Sequence, residues 1–527
     1  MLYTTINRLN DYILLCIFNY FRLDHPNAWN FQLGWRKLSH VCQSWRHLIY
    51  ESAFHLGMHI LCTNDAPIVG APDHLPPLPL FVDYREDVTR SWKRVTISGE
   101  DELGIYHALR LRGRVRRINL HLPPSILPKI LMLMDEPFQI LEHLSLSFEG
   151  DRITTPTLPK TFLAPNLRHL ALLGIGMPKR LRLLCSTVSL VTLGLTNIGA
   201  SGYFLPRLLV ARLGSLPQLE KLSLGFSIPI PRPSAERELF CKQVTPVTLP
   251  NLKNLTFQGV SAYLECLVAQ IMAPLLERLD VTFFNQIVFT LPHLSHFVNM
   301  TEKIKPNIAE VSFGLDAVSI IMDNSTRFHD EHFILRVKCK QLDWQIGCAA
   351  QVCSTLMPVL SGVEMLVLDF VEPMTPTDWQ NGGTDGTTWH ELLRSESFIG
   401  VKELRICNSL SGELSRALLV DEIGSDPGLL PGLRKLVSEF RGVHAASRFG
   451  SFIHARRIAG RPCHSSFPHS DLSDRPSPSS IPSFGGSGVV RTVRDILDTL
   501  NTRDDEGTYT RPSAKGISWA MAIPTLW

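Results

Sequence analysis

The sequence predicts a mixed α/β chain in three parts: a small N-terminal helical unit, a long irregular solenoid of short strands, and a disordered C-terminal tail. Apolar residues within 6–52 recur at helical spacing, a leucine pattern recurs over 138–460, and from Arg461 the composition turns to Ser, Pro and Gly. At 527 residues the chain has room for about three domains or one extended array with a large core. Its 44% apolar and 19% charged residues are globular in balance. With 52 Lys plus Arg against 49 Asp plus Glu, the net charge of +3 leaves no bulk electrostatic footprint for nucleic acid or a membrane surface, and neither partner is expected.

In INRLNDYILLCIFNYF, Ile13, Leu14, Ile17, Phe18 and Phe21 share a helical face, and Asn10 stands where an N-cap belongs. After a polar and aromatic insertion, Asp24 to Gly34, the segment WRKLSHVCQSWRHLIYES sets Leu38, Val41, Cys42, Trp45, Leu48 and Ile49 at i, i+3, i+4, i+7, i+10 and i+11, predicting a second amphipathic helix. A unit this small buries little alone and leaves an apolar face for a partner. The run Tyr12 to Phe21 is too short to span a bilayer and lacks a cleavage site, so neither a transmembrane helix nor a signal peptide is expected. Eleven cysteines, an odd number with no C-x-x-C, point to a reducing compartment, cytoplasmic and/or nuclear.

The repeat unit is L-x-x-L-x-L. It is carried by Leu141, Leu144, Leu146; Leu167, Leu170, Leu172; Leu190, Leu193, Leu195; Leu219, Leu222, Leu224; Leu252, Leu255, Phe257; and Leu276, Leu279, Val281. Successive first leucines stand 26, 23, 29, 33 and 24 residues apart, within the period of leucine-rich repeats. Each x-L-x-L is a short strand whose alternate leucines point inward, and neighbours must stack before those leucines are buried. Ile175, Ile198, Val260 and Phe284 stand where Asn usually ladders the backbone, so an irregular horseshoe is expected.

A gap follows, with a weaker repeat at Ile308, Val311 and Phe313 and two alternating segments, FILRVKC and LDWQIGC, read as strands. The pattern returns at Val363, Leu366, Leu368; at Val401, Leu404, Ile406; and at Leu433, Leu436, with the polar loop Thr375 to Thr388 placed on the outside. Residues 53–137 read as a linker and N-terminal cap of the solenoid. In 461–488, 17 of 28 residues are Ser, Pro or Gly, a composition unable to order itself, and 489–527 holds one short amphipathic helix around Val489 to Leu500.

Chemistry-bearing motifs are few. His329 and His332 in HDEH lack the spacing that sets two imidazoles on one helix face, and His293 and His296 in HLSH read as part of a repeat. Cys348 and Cys353 read as buried structural thiols. LRLRGRVRRINL sets Arg110, Arg112, Arg114 and Arg116 at period two on one strand face beside Arg117, a candidate grip for phosphate or else a charged sheet edge. Phosphate-cradling, dinucleotide and nucleophile-elbow motifs are lacking; no catalytic residue, cofactor or metal is expected. Candidate target contacts come from the residues between the leucines: His143, Ser145, His169, Thr192, Lys221, Asn254, Gln258, Arg278 and Asp280, on a mostly small and neutral concave face suited to protein contact.

The order carried by Leu9, Leu14, Ile17, Phe18, Leu38, Val41, Cys42, Trp45, Arg46, Leu48 and Ile49, with V-C-x-x-W-R as its most specific piece, resembles the F-box. Two departures are Asn10, where the family has proline, and the longer stretch between helices. The whole of residues 6–460, including LGMHILCTNDAPI, PPLPLFVDY and VEMLVLDF, resembles the large F-box family of mushroom-forming fungi. The resemblance implies docking onto a Skp-type adaptor, and through it a cullin-RING ubiquitin ligase, by Leu9, Ile13, Leu14, Ile17, Phe18, Val41, Trp45 and Leu48. It implies a non-catalytic receptor in which 6–52 holds the adaptor and the solenoid holds an unknown protein target. The alternatives are an interaction scaffold whose F-box is vestigial or serves no ligase, and a hydrolase or metal enzyme within 300–400.

Overall fold

A computed structural model describes residues 9–23, 38–52, 59–63, 78–84, 97–148, 155–178, 181–229, 246–301, 303–324, 332–370, 386–394, 396–407, 410, 414–415, 417–418, 429–438 and 445–466. The chain divides into two units, Met1–Ser470 and Asp471–Trp527, and every described residue belongs to the first. The expected helix around 489–500 and most of the loop 375–388 lie outside the described residues.

The first unit is mixed α/β, with one large, mostly parallel and open sheet. Its strands are β1 (Ile60–Cys62), β2 (Leu80–Tyr84), β3 (Val115–Leu122), β4 (His143–Phe148), β5 (His169–Leu173), β6 (Thr192–Ile198) and β7 (Lys221–Phe226). Then follow β8 (Val247–Thr248), β9 (Asn254–Gly259), β10 (Ile271–Met272), β11 (Arg278–Phe283), β12 (Ile308–Phe313), β13 (Ala317–Asp323) and β14 (Phe333–Lys338), and finally β15 (Met365–Phe370), β16 (Glu403–Ile406), β17 (Lys435–Ser438) and β18 (His464–Ser466). Sixteen of them form the sheet in the order β1-β2-β3-β4-β5-β6-β7-β9-β11-β14-β13-β12-β15-β16-β17-β18, while β8 and β10 pair separately.

The leucine pattern sets the register. Leu144, Leu170, Leu193, Leu222, Leu255 and Leu279 pair in sequence across β4 to β11, and Leu146, Leu172, Leu195, Leu224, Phe257 and Val281 make the next row. Both rows are buried, with the leading leucines Leu141, Leu167, Leu190, Leu219, Leu252 and Leu276 beneath them. Each such side chain is worth about 1.5–3 kcal/mol of transfer free energy. Ile175, Ile198 and Phe284 are buried as well, so apolar packing holds these turns where a polar ladder was absent from the sequence.

A repeated backbone device marks each strand entry. The carbonyl of Glu142 accepts from Arg168 N–H at 2.8 Å and His169 N–H at 3.0 Å, and Arg168, Val191, Glu220 and Lys253 each do the same for the next strand. At the entries of β5, β6, β7, β9 and β11 two amide donors are thus satisfied on one neighbour, as buried backbone requires.

Several expectations are corrected. The sheet begins at Ile60, so 53–137 contributes β1, β2 and β3 as well as the helices Gly99–Arg110 and Leu127–Leu133. Residues 464–466, assigned to the Ser/Pro/Gly-rich segment, pair with β17. LDWQIGC is the start of the helix Leu342–Thr355, not a strand: Ile346, Ala349, Ala350 and Cys353 recur at i, i+3, i+4 and i+7 and are buried, which overrides the apparent alternation of a short window. The strand β13 went unread. It runs antiparallel between β12 and β14, joined to β12 by a hairpin in which Gly314 N–H donates to Ala317 at 2.9 Å. The G-L-D turn between two alternating runs was the available signal. Finally, Arg110 ends a helix and Arg112 and Arg114 lie in the turn before β3, so the arginines do not share one strand face.

One buried carboxylate links successive repeats. Glu265, in the helix Ser261–Val268, accepts from the N–H groups of His293 at 2.9 Å and Leu294 at 2.8 Å, capping the helix Pro292–Asn299. Glu265→Ala leaves both donors unpaired and is expected to cost about 1–3 kcal/mol in urea unfolding. Burial pushes the Glu265 carboxyl above its ordinary value, against the two backbone bonds. Its contribution is therefore full below the ordinary carboxylate range and falls as pH rises through the raised value; Glu265→Gln should flatten that part of the stability profile.

Candidate functional site

The first N-terminal helix starts where its spacing predicts. Asn10 Oδ1 accepts from Ile13 N–H at 2.9 Å, starting the helix Asp11–Leu23, whose Asp11 complements the dipole. The second helix is shorter than expected. It runs Gln43–Glu51, with Cys42 as N-cap, its sulfur accepting from Trp45 N–H at 3.4 Å, so Val41 lies in the turn before it and Leu38 in a helical stretch ahead of that turn. Arg46 Nε donates to the buried Ser39 carbonyl at 3.0 Å and ties that stretch to the helix.

The eight residues expected to dock an adaptor divide by environment. Leu14 and Phe18 are core, at 6% and 4% exposure, and Phe18 meets Trp45 edge-on at 4.9 Å. Leu9, Trp45 and Leu48 are half-buried against that core. Ile13, Ile17 and Val41 face solvent at 42%, 46% and 59%. Tyr12 and Tyr20 on the same helix are exposed too, and the sequence reading did not assign them to the docking face.

The nine expected target contacts all project from the sheet face opposite the buried leucines. The register places His143, His169, Thr192, Lys221, Asn254 and Arg278 in one row, starting from Arg117 on β3. The His143 and His169 rings lie 5.6 Å apart, and His169 Nδ1 is 3.2 Å from the Thr192 hydroxyl. Ser145 is half-buried one row on. Gln258 donates to the Phe226 carbonyl at 3.0 Å, and Asp280 pairs with Arg336 at 2.8 Å, so both side chains are engaged within the sheet. The row is more cationic than the mostly neutral face read from the sequence.

The other motifs are structural where described. Arg112 pairs with Asp135 at 3.2 Å and with Glu136, Arg114 donates to the Leu78 carbonyl at 3.0 Å, and Arg116 pairs with Glu142 at 2.9 Å. Cys348 and Cys353 are buried, and burial pushes the Cys353 thiol up to about 12. His329 lies outside the described residues, and among those described no three His, Cys, Asp or Glu side chains gather as a metal site. No helix among the described residues is long and apolar enough to cross a membrane. Comparison with models of known protein families gives no match, and comparison with curated proteins gives no significant one.

Proposed function

We propose that this protein is a substrate-recognition subunit of an SCF-type ubiquitin ligase. In this reading the N-terminal helix pair is an F-box that docks on a Skp-type adaptor, and the sheet is an irregular leucine-rich-repeat solenoid that presents a protein target. The observation that carries it is the apolar surface of Ile13, Ile17 and Val41, left exposed on a helix pair whose own core is already filled by Leu14, Phe18 and Ile49. Large aliphatic side chains left solvated on so small a unit are what a partner's surface would cover. Rows of stacked leucines at a 23–33 residue period support the repeat reading.

The receptor itself performs no bond chemistry in this reading. Holding target and ubiquitin-loaded enzyme in one assembly raises their effective concentration, and the other subunits carry out the transfer. The test is capture of a Skp-type adaptor and cullin by the purified full-length protein. Stoichiometric capture is expected; no capture by folded protein would sink the ligase reading and leave a repeat scaffold.

A further inference from the structure

We infer that the exposed strand face from β3 to β11 binds an extended anionic segment of a protein along the row Arg117, His143, His169, Lys221 and Arg278. The inference deepens the target-presenting role proposed above and rests on it only for the statement that the bound segment belongs to a ligase target.

The charge balance of this face carries the argument. Its carboxylates are already matched: Glu142 with Arg116 at 2.9 Å, Glu220 with Lys253 at 3.2 Å, Glu277 with Lys303 at 2.6 Å and Asp280 with Arg336 at 2.8 Å. Among the described residues, Arg168, Lys221 and Arg278 have no carboxylate partner, and Arg168 and Arg278 are exposed. The positive field is registered by His169. Burial pushes its imidazole below its ordinary value, and Arg168, Lys221 and Arg117 push the same way against Glu142 alone.

Geometry selects an extended peptide. The row crosses six strand steps from Arg117 to Arg278, about 29 Å at 4.8 Å per step, which an extended chain spans in about nine residues. Beside it the register sets Ser145, Ala171, Gly194, Ser223 and Thr256, small side chains that leave room for a peptide backbone next to the cations. Single-stranded nucleic acid needs aromatic platforms, and neither row carries a Phe, Tyr or Trp between β4 and β11. Guanidinium and ammonium groups accept either carboxylate or phosphate, so the shared chemistry is a line of anions.

The test uses the full-length protein and fluorescence anisotropy with four labelled probes: deca-glutamate, deca-glutamine, a ten-residue peptide alternating phosphoserine and glycine, and deca-uridylate. Salt-sensitive binding of deca-glutamate, of the phosphopeptide or of both is expected, with none for deca-glutamine; which anionic peptide binds tighter identifies carboxylate or phosphate as the source. The double variant Lys221→Glu, Arg278→Glu should weaken anionic-peptide binding at least tenfold, whereas the double variant Arg207→Glu, Arg212→Glu, the same charge change on the helix Pro206–Leu213, should leave it unchanged. Equal weakening by both variants, tighter binding of deca-uridylate, or no binding of either anionic peptide would overturn the inference. Adaptor capture is read on the same preparations: retained capture with lost peptide binding confines a failure to the strand face, and the reverse confines it to the helix pair.

Discussion

Ile17→Asp is expected to abolish capture of the Skp-type adaptor, with a loss of at least a hundredfold, while the far-ultraviolet circular dichroism and the thermal midpoint stay at wild-type values. Ile17 is exposed and projects away from the Leu14 and Phe18 core, so a carboxylate there is solvated in the free protein and costs the fold almost nothing. Pressed into an apolar interface, the same carboxylate loses its water and gains no partner, a penalty of several kcal/mol. Trp45→Ala is a weaker probe. Its ring packs edge-on against Phe18 at 4.9 Å, and truncation is expected to cost the helix pair about 3–5 kcal/mol. Lost capture in that variant would report a melted helix pair as readily as a broken interface. Adaptor capture undiminished in a folded Ile17→Asp protein would dismiss the proposed docking face.

The second large effect is on stability. Gly174 follows β5 with φ +68°, and a Cβ there would stand 2.3 Å from the Phe148 carbonyl oxygen. Its N–H donates to the Thr196 carbonyl at 2.9 Å, so backbone holds it from both neighbouring strands and cannot retreat. Gly174→Ala combines left-handed strain with a backbone clash, together about 3 kcal/mol or more. Against a typical total of about 5–15 kcal/mol, the midpoint of urea unfolding should fall clearly. Gly347→Ala is the opposite case. It lies in the helix Leu342–Thr355 with nothing within 4 Å of an added Cβ, and should gain about 0.5–1 kcal/mol. Equal midpoints for the two variants would contradict the geometry of the turn after β5.

The leucine strands were legible because their signal is redundant: three apolar positions at fixed offsets, repeated within one period, all of which are buried. Strands without such company were not legible: β1 and β2 are single short apolar runs and β18, His464–Ser466, has no apolar residue at all, so their pairing is set by neighbours distant in the chain. LDWQIGC misled because seven residues fit both periods until Ala349 and Cys353 extend the helical one. In the helix pair, spacing identified the apolar residues but could not say which side chains their own partner helix consumes. The cationic row was hidden for a related reason: Arg117, Lys221 and Arg278 fall in one row only once the register of seven strands is known.

The out-of-order strands have a consequence for how the chain assembles during synthesis. Up to β11 each new strand of the large sheet finds its neighbour already in place, so the sheet can grow as the ribosome proceeds. The edge of β11 then waits for β14, while β12 and β13 emerge first with each other as their only template. At about 5–20 residues per second, the interval between Phe283 and Phe333 is roughly 3–10 seconds of bare parallel edge, the condition in which a nascent sheet is most open to pairing with another chain. Chaperone engagement, codon usage and the effect of truncation should therefore concentrate on that interval, because a nascent chain halted inside it displays a strand edge that the finished protein covers.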